Sequence, residues 1–71
     1  MEKLTKELAL KAIKEIENIS SDYENAHEKE DDLYYWFIYC ASQGWYDKDE
    51  VIEIAKILET TSDIEFGRWT A

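Results

Sequence analysis

Apolar residues recur every three or four positions in the first quarter of the chain, which is the spacing of one face of an α-helix. This pattern predicts an amphipathic helix over about residues 2–19, with lysines on its other side and Leu10 as a single apolar residue among them. The apolar positions are Leu4, Leu8, Ala9, Ala12, Ile13, Ile16 and Ile19.

A second helix is predicted over about residues 22–43. Ser21 precedes Glu24 at the spacing of a capping box, in which each side chain accepts a hydrogen bond from the other residue's backbone N–H. Gly44 supplies the left-handed residue that commonly ends a helix. A helical wheel divides the helix into one side with Tyr23, Ala26, His27, Glu30, Leu33, Tyr34, Phe37, Ile38 and Ala41, and another with Tyr35, Trp36, Tyr39 and Cys40.

Residues 33–46 contain seven of the ten aromatic residues and no charged residue. This uncharged run is too short to cross a bilayer. A helix that is apolar on both sides must also be covered on both sides. We therefore expect the second helix to be the central element of the fold or to offer Tyr35, Trp36 and Tyr39 to another chain.

A third helix is predicted over residues 48–59, because Asp47 and Glu50 repeat the capping-box spacing immediately before an apolar run. Beyond it, Ile64, Phe66 and Trp69 are expected to anchor the end of the chain against the helices. The sequence therefore predicts one all-α domain over residues 1–71, a three-helix bundle with a packed C-terminal tail or short helical turn.

The net charge of −9 lies in the later part of the chain. Residues 1–19 contain four acids and four lysines, so all nine excess negative charges fall in residues 20–71. Nucleic acid and anionic membrane are poor partners for such a chain, because phosphate binding depends on cations. We expect a protein partner with a basic surface. The charged N-terminus predicts a cytoplasmic protein, and Cys40, as a single cysteine, predicts a buried thiol rather than a disulfide.

His27, Glu30 and Asp31 lie about one helical turn apart, which brings an imidazole and two carboxylates together. A zinc site normally takes three or four ligands, and the chain has one histidine and one cysteine, so we predict no metal and no cofactor. No Ser/His/Asp set, no Cys/His pair at a familiar spacing and no glycine-rich phosphate loop occurs. We therefore predict that the protein is not an enzyme.

Glu30 falls on the apolar side of the second helix, where an unpaired carboxylate would be costly. We expect His27, Glu30 and Arg68 to form a structural polar network, completed by the hydroxyl of Tyr23 or Tyr34. The alternative is an exposed Arg68 that reaches a partner.

Two groups of carboxylates, one in the second predicted helix and one around the start of the third, have two interpretations. They could form a solvated face that keeps a small protein soluble, or they could imitate the phosphates of a nucleic acid and bind a basic groove. The spacing of the carboxylates around the start of the third helix excludes an EF-hand, which needs glycine at its sixth position and glutamate at its twelfth. The two groups are Glu28, Asp31 and Asp32, and Asp47, Asp49, Glu50 and Glu53.

Residues 26–34, the Gly44 turn and the ending Ile64-Glu65-Phe66-Gly67-Arg68-Trp69 resemble small uncharacterised acidic helical proteins of bacterial and phage genomes that end in a Phe-x-Arg-Trp motif. The resemblance implies a bacterial or mobile-element origin and no catalytic residues. Small phage proteins of this kind include anti-CRISPR proteins, so it also implies an inhibitor of a basic nucleic-acid-binding host protein. The alternative function is a homodimeric or hetero-complex module that uses Tyr35, Trp36 and Tyr39.

Overall fold

The computed structural model describes residues 2–63, and the predicted all-α three-helix bundle is confirmed. Helix α1 spans Lys6–Asn18, α2 spans Tyr23–Ser42 and α3 spans Lys48–Glu59, followed by a 3₁₀ turn over Thr60–Asp63. No strand occurs among these residues. The predicted packing of Ile64, Phe66 and Trp69 falls outside the described part of the chain.

The three helices run up, down and up. Lys3 Nζ lies 3.0 Å from Glu50 Oε2, and Lys6 Nζ lies 3.1 Å from Glu53 Oε1. Because the residue numbers rise together along both pairs, α1 and α3 are parallel. Helix α2 is joined to each of them by a short turn and is therefore antiparallel to both.

The first helix begins later than predicted. Thr5 is its N-cap, because the Thr5 hydroxyl accepts a hydrogen bond from the Leu8 N–H at 3.2 Å, and helix α1 starts at Lys6. The predicted start at residue 2 is wrong. Leu4 nevertheless contributes to the core with no exposed surface, from an extended segment before the helix. Its apolar character reflects a tertiary contact and not a helical turn.

The turn into α2 also differs from the prediction. Asp22, and not Ser21, is the N-cap, and its carboxylate accepts hydrogen bonds from the backbone and side chain of Asn25. A carboxylate is as good an N-cap as a hydroxyl and gains further from the positive helix terminus. The predicted Ser21–Glu24 capping box is therefore wrong. Gly44 has the expected left-handed backbone, with φ of 73°.

The capping box at the start of α3 is confirmed, and its boundaries are those predicted. The Asp47 carboxylate accepts from the Glu50 N–H at 2.8 Å, and the Glu50 carboxylate accepts from the Asp47 N–H at 3.3 Å. These two bonds satisfy N–H groups that the first turn of a helix leaves without partners. Asp49 and Glu50 also place negative charge at the positive end of the helix.

All three helices and the segment before α1 contribute to the core. The expectation that α2 is covered on both sides is wrong at two positions of the first predicted side: Ile38 and Tyr23 are 61 % and 54 % exposed, whereas Cys40 on the other predicted side is buried. The buried stripe of α2 follows the line between its two neighbouring helices, which a wheel drawn without those neighbours does not locate. The buried apolar residues are Leu4, Ala9, Ile13, Ile16, Ala26, Leu33, Cys40, Ile54 and Leu58.

Candidate protein-binding surface

Helix α2 has an exposed side opposite its buried stripe, which we call the α2 outer face. Its first half carries carboxylates and its second half carries large apolar side chains, among which Tyr35 and Ile38 are each 61 % exposed. Spacings of three and four residues place all of these positions on one side of the helix. The α2 outer face consists of Glu24, Glu28, Asp31, Asp32, Tyr35 and Ile38.

The apolar half of this face continues into the turn after α2. The ring of Tyr39 meets Trp45 edge-on, with ring centroids 5.9 Å apart, and Trp45 is 39 % exposed. We call Tyr35, Ile38, Tyr39 and Trp45 the aromatic patch. Ile38 and Trp45 were missed in the sequence analysis, although Ile38 follows Tyr35 at a spacing of three residues.

Trp36 faces inward, unlike Tyr35. Its indole N–H donates to the backbone carbonyl of Glu2 at 2.7 Å, so the ring holds the segment before α1 against α2. The side chain also lines a groove of about 170 Å³ between α1 and α2. The groove is lined by Ala12, Glu15, Ile16, Lys29, Asp32, Leu33 and Trp36.

The acids of α3 are placed differently from those of α2. Glu50 and Glu53 pair with the two lysines before and at the start of α1, and Asp47 is engaged as the N-cap, whereas Asp49 is exposed. Such surface ion pairs contribute about 1 kcal/mol or less to stability. The larger consequence of these ion pairs is that the two lysines neutralise the charges of Glu50 and Glu53. The structure therefore separates the α3 acids from Glu28, Asp31 and Asp32, and only these three α2 acids belong to the α2 outer face.

Residues 2–4 form a strap across the C-terminal half of α2, with Cys40 buried beneath it. The Leu4 N–H donates to Cys40 Sγ at 3.4 Å, and the Cys40 thiol faces the Glu2 carbonyl at 3.8 Å. The Tyr46 hydroxyl donates to the Leu4 carbonyl at 2.6 Å, and the Lys3 ammonium lies 5.4 Å from the centre of the Tyr46 ring. The expected buried thiol is confirmed.

Burial raises the pKa of the Tyr46 hydroxyl above its ordinary value, and the neighbouring Cys40 thiol and the charge of Glu50 act in the same direction. An unperturbed tyrosine titrates near pH ~10. The hydroxyl is therefore protonated throughout the neutral range, and the raised pKa extends this to more alkaline pH. Tyr46 therefore remains a hydrogen-bond donor to the strap under physiological conditions.

A buried polar cluster lies between α2 and the end of α3. Glu30 is 5 % exposed and Thr61 is fully buried. The Tyr34 hydroxyl contacts the Thr61 hydroxyl, lies 3.5 Å from Glu30 Oε2 and lies 3.4 Å from the Leu58 carbonyl. Tyr34, rather than the exposed Tyr23, therefore supplies the hydroxyl expected for this network.

The other two members of the predicted network are less fully described. His27 is half-buried on α2, one turn before the described cluster. Arg68 falls outside the described residues, so its pairing with Glu30 stays a prediction. The described contacts alone give the cluster a structural role, because they join α2 to the 3₁₀ turn.

We expect Tyr34→Phe to lower the free energy of unfolding by about 1–2 kcal/mol, because it removes the hydroxyl that joins Glu30, Leu58 and Thr61 inside the protein. Tyr35→Phe is the matched control: it removes the same group from the next residue, which is 61 % exposed, and should change stability by less than about 0.5 kcal/mol. Urea denaturation followed by circular dichroism measures both. Equal effects of the two substitutions would contradict the structural role of Tyr34.

Among residues 2–63, no three His, Cys, Asp or Glu side chains come together in a way that could hold a metal ion. In the same residues, no helix combines the length and the apolar character needed to cross a membrane.

We compared the chain with protein families, with curated proteins and with solved structures, and found no match. The resemblance to small phage proteins therefore stays a prediction. The fold and the surface together define the class to which this chain belongs. It is a small acidic three-helix protein whose longest helix exposes carboxylates and large apolar side chains on one face.

Proposed function

We propose that this protein is a non-catalytic binding module, an inhibitor of the phage or mobile-element type that occupies the nucleic-acid site of a basic host protein. The observation that carries the proposal is the α2 outer face. Glu28, Asp31 and Asp32 are exposed there, and they lead directly into exposed Tyr35 and Ile38. A face that served only solubility would gain nothing from two such apolar side chains.

The carboxylates of the α2 outer face suit a surface that normally binds phosphates. Residues three or four positions apart on a helix are separated by about 5–6 Å, so Glu24, Glu28 and Asp32 form a regular row of anions. An arginine fork recognises a carboxylate with the same two parallel hydrogen bonds that it makes to a phosphate. The net charge of −9 adds long-range attraction, which raises the rate of encounter with a basic partner.

The paired acids of α3 fit this proposal in a smaller role. Lys3 and Lys6 already compensate Glu50 and Glu53, so a partner gains less from contacting those carboxylates. Asp49 is exposed without a lysine contact in the described structure. We therefore place the main contact on α2 and treat the α3 acids as contributors to the overall field.

Charge reversal on the α2 outer face tests the proposal. We expect the triple variant Glu28→Lys, Asp31→Lys, Asp32→Lys to retain about tenfold less DNA- and RNA-binding protein from a bacterial lysate than the original chain does. The measurement is mass spectrometry of the proteins retained by the immobilised chain. Capture by the original chain should also fall when salt is raised to about 0.5 M or when excess duplex DNA is added.

The matched control reverses three exposed acids on the other helices, Glu7→Lys, Glu17→Lys and Glu59→Lys, and changes the net charge by the same amount. It should retain capture within about twofold, because a specific surface depends on the position of its charges. Circular dichroism confirms that both variants are folded. Capture that survives the α2 reversal, or that duplex DNA does not displace, contradicts the proposal.

Self-association through the aromatic patch is the second candidate function. Exposed Tyr35 and Ile38 favour it, because contiguous exposed apolar side chains mark interaction sites. Pairing two copies would also bring together two chains of charge −9. Sedimentation of the chain at low and high salt distinguishes the candidates: a dimer that forms at both would favour self-association over the inhibitor.

A further inference from the structure

We infer that the aromatic patch binds an amphipathic basic helix of the partner protein, with apolar side chains of that helix on Tyr35 and Ile38 and its arginines or lysines against Asp31 and Asp32. The inference rests on the proposed function and deepens it. The carboxylates alone would fit many basic surfaces. The patch adds a requirement for apolar side chains at a fixed distance from the cations, and this requirement selects the partner.

The first observation is the exposure of the patch. Tyr35 and Ile38 are each 61 % exposed, and Trp45 is 39 % exposed. The other exposed apolar residues of α1 and α3, Leu10 at 50 % and Ile52 at 44 %, are single side chains among charged neighbours. Single exposed apolar residues are ordinary, whereas contiguous ones are typical of interfaces.

The second observation is the position of the acids relative to the patch. Tyr35 follows Asp31 by four residues and Asp32 by three, so both carboxylates lie one helical turn from its ring. The distance along the helix from Glu28 to Ile38 is about 15 Å at a rise of 1.5 Å per residue. An occupant of about three helical turns covers this length, with cations at one end and apolar residues at the other.

The shape of the surface favours a helix as the occupant. The α2 outer face is the convex side of a regular helix, and described neighbours cover only its opposite side. A second helix packs on such a surface by placing its rows of side chains between the rows already there. Amphipathic helices bind in this way through apolar anchors spaced three or four residues apart.

The charge of the surface favours a basic occupant over a second copy. Lys29 is the only lysine within α2, and it lines the groove against α1 together with Asp32, at the edge of the outer face. A second copy would add its own Glu28, Asp31 and Asp32 to those of the first, and each chain would bring a single α2 lysine, Lys29, to compensate them. A basic helix neutralises the same carboxylates and covers the patch.

Three synthetic helical peptides test the inference. The first carries leucines on one face and arginines beside them, the second has the same composition in an order that abolishes the apolar face, and the third replaces every leucine by serine. We expect the first to bind about tenfold or more tightly than the other two at about 0.15 M salt, because only it can cover the patch. Isothermal titration calorimetry measures the three affinities.

Substitutions in the protein locate the peptide. The double variant Tyr35→Ser, Ile38→Ser should lose the preference for the first peptide, because it removes the two most exposed side chains of the patch without changing a buried residue. The matched control Leu10→Ser, Ile52→Ser removes two exposed apolar side chains elsewhere and should keep the preference. Melting temperatures within a few degrees of the original chain confirm that both variants are folded.

The outcomes separate the inference from the function on which it rests. If all three peptides bind equally, or if both double variants behave alike, the inference is overturned even where duplex DNA still competes in the lysate experiment. If the peptide preference holds but duplex DNA does not compete, the inhibitor proposal fails. The inference that the aromatic patch binds an amphipathic basic helix is then still supported. A dimer abolished by Tyr35→Ser, Ile38→Ser but not by the control identifies a second copy as the occupant and overturns the inference.

Discussion

Leu4→Ala is expected to lower the free energy of unfolding by about 2–4 kcal/mol, although Leu4 lies outside every helix. Its side chain has no exposed surface, so the substitution removes buried apolar contacts and leaves a cavity. A chain of 71 residues has only a few kcal/mol of stability, because small domains bury a limited share of their surface. The variant should therefore be largely unfolded near physiological temperature.

Leu10→Ala is the matched control, since it removes the same atoms from a residue that is 50 % exposed on α1. It should change stability by less than about 1 kcal/mol, because alanine is a good helix former and the leucine contributes little burial there. Urea denaturation followed by circular dichroism measures both. A loss for Leu10→Ala as large as that for Leu4→Ala would contradict the burial of the strap.

Local sequence signals determined how well the helix boundaries could be predicted. The start of helix α3 was predicted correctly because Asp47 and Glu50 form a reciprocal cap whose two bonds join residues only three positions apart. The start of α1 was not predicted correctly. Leu4 continues the helical spacing of the apolar residues, although the helix begins only after its N-cap, Thr5. Spacing alone cannot distinguish a buried residue before a helix from a buried residue within it.

Contacts between distant residues explain what the sequence could not predict about the surface. Glu50 and Glu53 pair with lysines that are 47 residues away in the chain, and the sequence around the two glutamates does not indicate this pairing. The exposure of Ile38 likewise depends on where α1 and α3 lie against α2. By contrast, Asp31, Asp32 and Tyr35 occupy one helix face through spacing alone, so their grouping could be predicted from local sequence.

The burial of Cys40 beneath the strap leads to the second large effect. We expect its thiol to react with iodoacetamide about 100-fold or more slowly in the folded protein than in urea, because the side chain has no exposed surface. Reaction requires a transient opening, and each 1.4 kcal/mol needed to open the structure slows labelling about tenfold when reclosing is fast. Mass spectrometry of the alkylated chain over time gives the rate. Labelling at the rate of the unfolded chain would show that the strap does not cover the thiol.

Tyr46→Phe tests the bond that holds the strap, and the urea dependence of labelling distinguishes opening of the strap from unfolding of the whole protein. It removes the hydroxyl that donates to the Leu4 carbonyl, a bond whose loss costs about 1 kcal/mol, so labelling of Cys40 should accelerate about fivefold. Tyr35→Phe, which removes an exposed hydroxyl, should leave the rate unchanged. If the strap opens alone, low urea concentrations should hardly change the rate, because lifting three residues exposes little surface. A steep dependence on urea would instead mean that Cys40 is reached only when the three-helix bundle unfolds, and the strap would then be as stable as the core it covers.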